Sequence, residues 1–520
     1  MKLYNKNLVY VFIITVLTGC FTYYQMPANW LTNPDTVWTS IYYRVGHGGE
    51  KQNGRLLQIL VDRMRMDTVL PVFTTIISIL LLGVIAVLVN RLIENENPVI
   101  GVLIGFLILF MPCTSSVLTY FNWAESFTLA FLLVTLGVYL IHKYPKILSY
   151  FISTGLFFCS LYLYQAYLPI VFVWAVIFLL VGIIEGEELG DIIKEFMVYV
   201  VTSIVSVLGY VISFKLLQII LKLEVRTDRG FDFNIADILG QVFVLIGEAY
   251  VNCYEYFLGN RLINNSFGGR NIINLLIIIA CVVLYLLLFV KKRIFKDIKK
   301  LFLAIIAWSV LPIAFEAISI MSPNVDEYGA TGIIMIPTMV CLYVFVLMIG
   351  KVCKEYWKMP YIYLGTIVLV GLFVWNSIIF TGLCINSMQL QLNKTQTVAD
   401  IMIDEIIEEC GYEPGTKLLV AGSMEDGNFP YLYEYPYSLI KGTSASYGFM
   451  WDTYTGNESC WILFLKQYKG LNFEICEQDV YEEILTMKEY EEMPLFPAEG
   501  SIKKIDDLVV VKMSDVHLFY

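Results

Sequence analysis

The sequence predicts an α-helical polytopic membrane protein of about eleven spans, with a small C-terminal α/β domain outside the bilayer. Three observations lead there. The 520 residues are 58% hydrophobic and only 16% charged, whereas a soluble domain carries about 25% charged residues. Mean hydropathy is +0.68. The net charge of −11 is also unevenly spread. Residues 383–520 hold 23 acidic and 9 basic residues, and the first 382 hold 23 and 26. A near-neutral membrane body with an acidic, water-facing tail follows. This much apolar content excludes disorder, and no short repeat suggests collagen or a coiled coil. The low pI is a property of the tail and says nothing about nucleic acid, which is not among the expected partners.

A spanning helix needs about 20 mostly apolar residues. Eleven runs qualify, near 8–25, 70–90, 99–117, 124–141, 147–163, 168–184, 197–220, 272–290, 301–321, 332–350 and 361–382. The first ends Leu17-Thr18-Gly19-Cys20, similar to a lipoprotein cleavage box. No polar linker follows Cys20, so the run reads as a membrane anchor.

Lys and Arg favour cytoplasmic connections. Lys2, Lys6, Arg91, Lys143, Lys146, Lys194, the run from Lys291 to Lys300, and Lys351, Lys354 and Lys358 all fall on one side of eleven spans. Three short loops on the other side (113–122, 164–167, 322–330) have no Lys or Arg. The N-terminus is therefore expected in the cytoplasm and the tail outside a cell membrane. The division is 1–382 for the membrane domain and 383–520 for the outer domain. The long outer loops 26–69 and 221–271 each carry five Lys or Arg, against the trend.

The first outer loop contains Asn33-Pro34-Asp35, a turn signal, then Arg44, then Asn53-Gly54-Arg55. Leu56 to Arg65 has apolar residues at helical spacing and reads as an interfacial helix. The second loop holds Arg226 and Arg229. Its stretch 238–258 is apolar but broken by Gln241, Glu248, Asn252 and Glu255, which suggests an amphipathic or re-entrant helix. In the tail we expect helices at 391–410 and 479–489 and strands at 417–423, 461–467 and 508–513.

No phosphate-binding loop, dinucleotide fingerprint or zinc motif occurs, and three His make a His-based metal site improbable. Carboxylates, Arg and Tyr remain to carry chemistry. Polar residues at span ends are costly and therefore informative. Glu125 opens the fourth span, Tyr164-Gln165 joins the fifth and sixth, Glu316 lies late in the ninth, and Asp326 follows it. With Asp35, Arg44 and Arg55 they converge on the outer interface. Taken singly, each reads as a loop-end residue at the water boundary. Trp30, Trp38, Trp123 and Tyr164 fit the ordinary aromatic belt and also suit stacking on sugar rings. Lys215 reads as a snorkelling side chain.

The chain resembles the bacterial glucosyltransferase type II family, whose best-known members modify O-antigen and convert serotype. Asn33-Pro34-Asp35, Asn53-Gly54-Arg55, Tyr164-Gln165-Ala166 and a tail reading Gly500-Ser501-Ile502 then Asp506-Asp507-Leu508 to Lys512 carry that resemblance. The family often has a second acidic residue beside the first Asp; here Thr36 follows. The resemblance implies a glycosyltransferase with a GT-C-like fold. Its donor would be a polyprenyl-phosphate sugar, most simply glucose, and its acceptor a surface glycan. Phosphate is a stable leaving group, so one carboxylate base suffices for inversion. Asp35 is the expected base. Arg55, backed by Arg44, Arg226 and Arg229, is expected to hold the phosphate. Tyr164, Gln165, Glu125, Glu316 and Asp326 are expected to bind sugar or acceptor. No cofactor is expected; a divalent cation on Asp35 and Asp326 is chemically allowed but not demanded by the spacing. Two alternatives stay open: a transporter or flippase of lipid-linked glycans, and a polysaccharide polymerase or ligase. The first usually shows internal repeats and mid-membrane charge, neither of which is evident here.

Overall fold

The structure, a computed structural model, describes residues 2–33, 36–37, 49–222, 235–260, 263–317, 337–422, 440 and 460–515. Its main helices are α1 (Lys2–Tyr23), α2 (Leu56–Met64), α3 (Pro71–Leu92), α4 (Pro98–Phe110), α5 (Ala124–Lys143), α6 (Ile147–Leu163) and α7 (Pro169–Glu185). They continue with α8 (Leu189–Leu221), α9 (Ile235–Phe257), α10 (Arg270–Lys291), α11 (Ile298–Phe315), α12 (Val340–Trp357) and α13 (Pro360–Glu405). Among the described residues, nine helical segments are long and apolar enough to cross a bilayer. The chain is thus a polytopic helical membrane protein. The shorter apolar helices α4 and α6 stand where the third and fifth runs were read. α9 falls outside the nine. It sets buried Leu245, Ala249 and Asn252 against exposed Phe243, Tyr250 and Tyr254, which gives it two faces.

Pro112 explains why α4 is short. The residue before a proline is pushed out of helical geometry, and Met111 is extended at ψ 142°. A short helix, Pro112–Val117, then resumes. Thr114 Oγ1 donates to the carbonyl of Ile108 at 2.7 Å, which satisfies a backbone group that the break would otherwise leave bare in an apolar setting. Close helix contacts rest on small residues, as expected where the hydrophobic effect does not drive helices together. A Cβ on Gly105 of α4 would come within 2.1 Å of Thr15 Oγ1 on α1.

The helix directions define two ends. At one, Lys143 closes α5 and pairs with Glu94 at 2.6 Å, while Lys351 of α12 donates to the Glu94 carbonyl at 3.1 Å. Lys292, just past α10, donates to the Ile184 carbonyl at 2.7 Å, and Lys300 of α11 to the Glu187 carbonyl at 2.6 Å. This is the lysine-rich end. Ala124 at the start of α5 and Arg270 at the start of α10 therefore lie at the other.

The chain leaves the bundle through α13, which runs unbroken from Pro360 to Glu405 and on through a π-helical turn to Cys410. Beyond it stands a four-stranded sheet of β1 (Lys417–Ala421), β2 (Glu474–Ile475), β3 (Ile502–Ile505) and β4 (Leu508–Lys512), in the order β2-β1-β4-β3. β1 is parallel to both neighbours, and β3–β4 is an antiparallel pair. The expected strand at 461–467 is a correction: residues 460–464 are helical and continue into a π-helical turn, Leu465–Lys469. Trp461, Phe464 and Leu465 are all buried on that helix. A short, wholly apolar run has no periodicity to separate a strand from a buried helix. This helix reaches the bundle, where Tyr468 Oη donates to the Trp30 carbonyl at 2.9 Å.

Candidate functional site

α2 faces the opposite way from a helix lying on a water interface. Its sequence puts Arg55, Gln58, Asp62 and Arg65 on one stripe, three or four residues apart. That stripe turns inward: Gln58 and Asp62 are 0% exposed and Arg65 6%, whereas Leu60 and Met64 are 56% and 81% exposed. A helix packed on α6 inside a membrane protein can leave apolar side chains outside at little cost, because lipid is as apolar as a core. Its polar stripe must then find polar partners.

The start of α5 supplies them. Arg65 Nε lies 2.9 Å from Glu125 Oε1, and Arg65 also pairs with Asp62. Nη1 of the same guanidinium donates to the carbonyls of Phe121 and Thr68 at 3.2 and 3.1 Å, and Nη2 donates to that of Asn122. One cation thus pairs with two buried carboxylates and clamps the turn before α5. Burial pushes the Asp62 carboxyl up to about 7, against the pull of Arg65 and with a further push from Glu125 and Glu50. Glu50 on the short helix Gly49–Gln52 is buried too, accepts from Trp123 Nε1 at 3.2 Å, and is raised by burial.

The Tyr164-Gln165 turn holds the other side of Arg55. Tyr164 is buried, with its ring 4.3 Å from that of Phe127 and its face 4.8 Å from the Arg55 guanidinium carbon, a cation–π distance. Gln165 Nε2 donates to the Asn53 carbonyl and to Tyr210 Oη, both at 2.8 Å. Gly54 is at φ +69°, and a Cβ there would lie 2.2 Å from Tyr210 Oη. Asn53-Gly54-Arg55 therefore needs glycine both for its backbone and for its room.

The segment around Asn33 docks on the same turn. Asn33 Nδ2 donates to Thr119 Oγ1 at 3.0 Å, Thr32 Oγ1 to the Thr119 carbonyl at 2.8 Å, and Thr36 Oγ1 to Asn122 Oδ1 at 3.0 Å. Asn122 is also the residue whose carbonyl accepts from Arg65.

Of the residues singled out from sequence, Arg55, Glu125, Tyr164 and Gln165 are brought together. Glu316 is buried at the end of α11, near Cys253 and Tyr256 of α9. Asp35, Arg44, Arg226, Arg229 and Asp326 lie outside the described residues. The sequence reading missed Glu50, Gln58, Asp62, Arg65 and Tyr210. The polar stripe of α2 is the one signal for them in the sequence, and on an interfacial helix that stripe faces water. Among the described residues, no group of three His, Cys, Asp or Glu side chains is arranged to hold a metal. What the site offers is two guanidinium groups, three buried carboxylates and a rigid aromatic wall.

No curated protein and no solved structure matches the chain. The family model of glucosyl transferase GtrII matches residues 39–349. That stretch contains Arg55, Arg65, Glu125 and Gln165 but neither Asp35 nor the tail. It covers more than half of the chain, which therefore belongs to the glucosyl transferase GtrII family.

Proposed function

We propose that this glucosyltransferase moves glucose from a polyprenyl-phosphate donor to a surface glycan, at the outer face of the cell membrane and with inversion at the sugar carbon. The observation that carries the reading is the buried polar site at the end of the bundle opposite the lysines. With the Lys bias as guide, eleven spans put the N-terminus in the cytoplasm. The site and the domain at 383–520 are then outside, on a GT-C-like membrane domain at 1–382. A polyprenyl phosphate already rests in the bilayer, so its head group meets this rim without leaving the lipid.

In the transfer, Asp35 takes the proton of the acceptor hydroxyl as that oxygen attacks the anomeric carbon. The bond from that carbon to the phosphate oxygen breaks, and the lipid phosphate departs as an anion. Arg55, with Arg44, Arg226 and Arg229, offsets the charge that develops on it. Tyr164 and Gln165 hold Arg55 and the Asn53-Gly54 turn in place. Glu125, through Arg65, orders the turn on which Asn33 and Thr36 rest. Glu316 and Asp326 bind acceptor hydroxyls, and the transfer uses no cofactor.

The experiment is glucose transfer from polyprenyl-phosphate glucose to surface glycan in membranes carrying Asp35→Asn. Loss of transfer by at least 100-fold at normal protein levels is expected. Undiminished transfer would remove Asp35 as base.

A further inference from the structure

Arg270 is the first residue of α10, at the same end as the site. Its side chain is 2% exposed. Nε donates to Asn376 Oδ1 on α13 at 2.9 Å, and Asn376 in turn donates to the Phe267 carbonyl at 3.1 Å. The guanidinium carbon stands 4.4 Å from the centre of the Phe380 ring and 5.9 Å from that of Phe373. The group is thus fixed in direction by one hydrogen bond and two rings. Its two outer nitrogens, Nη1 and Nη2, are buried and have no hydrogen-bond partner among the described residues. No carboxylate there pairs with it.

That arrangement is expensive for a resting structure. A guanidinium does not shed its proton in a protein, and a buried charge without a counter-charge is strongly destabilising. Asn376 is neutral, and an aromatic face offsets only part of the charge. The buried, unpartnered fork of two NH2 groups matches two oxygens of one phosphate, and the start of a 22-residue helix adds partial positive charge at the same point.

A small cleft lies on the far side of one of its two rings. Phe380, which stacks under Arg270, also lines a cleft with Tyr23, Ser115, Thr119 and Thr381. Thr119 is the residue on which Asn33 and Thr32 are anchored. The Tyr23, Ser115 and Thr381 hydroxyls already bond one another at 3.0 and 2.9 Å, so the cleft wall makes no competing demand for a charge.

We infer that Arg270 is a lipid-phosphate receptor, a second phosphate contact besides Arg55, whose two outer nitrogens take two oxygens of a phosphate carried by a lipid in the membrane. Identifying that lipid with the polyprenyl-phosphate donor rests on the function proposed above. An anionic phospholipid offers the same chemistry, so the test separates the two.

Full-length protein in phosphatidylcholine nanodiscs is titrated with sugar-free polyprenyl monophosphate, and binding is read by native mass spectrometry. Arg270→Gln should weaken binding at least tenfold. Arg270→Lys, a charge without the fork, should fall between it and the parent. Lys215→Gln, an exposed cation elsewhere on the bundle, should bind as the parent does. Equal binding by the parent and Arg270→Gln overturns the inference and leaves the donor reading intact. No binding by the parent overturns both. Competition by phosphatidylglycerol at equal concentration, lost in Arg270→Gln, keeps the phosphate receptor but rejects the donor as its ligand. If Arg270→Gln does not assemble, the parent is exposed to polyprenyl phosphate bearing a diazirine beside the phosphate. Labels within 267–270 or 373–384 support the site; labels confined to other segments overturn it.

Discussion

At the lysine-rich end, Lys143 meets a Glu94 side chain that is 72% exposed. At the other end, Arg65 meets Asp62 and Glu125, with the three side chains 3%, 1% and 4% exposed. Both ends set a basic side chain against acidic ones, and the free energies differ. An exposed pair gains little, since water and salt screen it and two flexible side chains must be fixed. A buried set has no such relief, and each member depends on the others. The lysine end can therefore vary with small consequence. The α2 end keeps an arrangement that is costly to assemble, and such arrangements mark sites of chemistry more often than of simple packing.

Arg65→Met should break the contrast most severely. It leaves Asp62 and Glu125 buried without their cation and frees the turn at Phe121 and Asn122. A loss of about 3–5 kcal/mol is expected, read as a fall in midpoint of thermal unfolding in detergent. Unchanged stability would mean that the clamp contributes nothing.

Asp62 gives a subtler handle. Its carboxyl is raised to about 7 in the fold from an ordinary value of 3.8. The folded state thus binds the proton more tightly than the unfolded chain does. Stability from this group is full below pH 4 and declines as pH rises to about 7. The parent should lose stability across that window, and Asp62→Asn should flatten the decline. Thermal unfolding midpoints at pH 4.5 and 7.5 for both proteins check this; parallel pH dependence would contradict it.

The smallest effect belongs to the other end. Lys143→Gln should cost less than about 1 kcal/mol and leave glucose transfer within about twofold. A large loss of stability there would erase the distinction between the ends.

How much of this was legible in the sequence follows from what each residue reveals alone. Apolar runs of full length announce helices, so the membrane body was readable. Glu125 and Tyr164-Gln165 stood out because polar groups at span ends need a reason. Asp62 and Arg65 did not, although their spacing with Arg55 and Gln58 is plain. In water the polar face of such a helix points outward, and only the packing of α2 on α6 shows that lipid reverses the rule. Arg270 was hidden for another reason: next to Gly268-Gly269 it looks like any loop cation, and its isolation appears only when α13 brings Asn376 and Phe380 against it. The strand expected at 461–467 failed because Trp461 to Leu465 is apolar throughout. The family match begins at residue 39, so Asp35 rests on its own motif and on the anchoring of its neighbours Asn33 and Thr36.

The most direct test is one transfer assay on purified protein reconstituted in vesicles, with polyprenyl-phosphate glucose as donor. Arg55→Gln, which keeps a polar N–H donor but removes the charge at the buried end, is compared with the parent at matched protein and matched thermal midpoint. The account predicts at least a 100-fold fall in glucose transferred per minute, the scale of losing one charge-stabilising group at a reacting centre. Transfer by Arg55→Gln equal to that of the parent would contradict it and move the chemistry away from this end of the bundle.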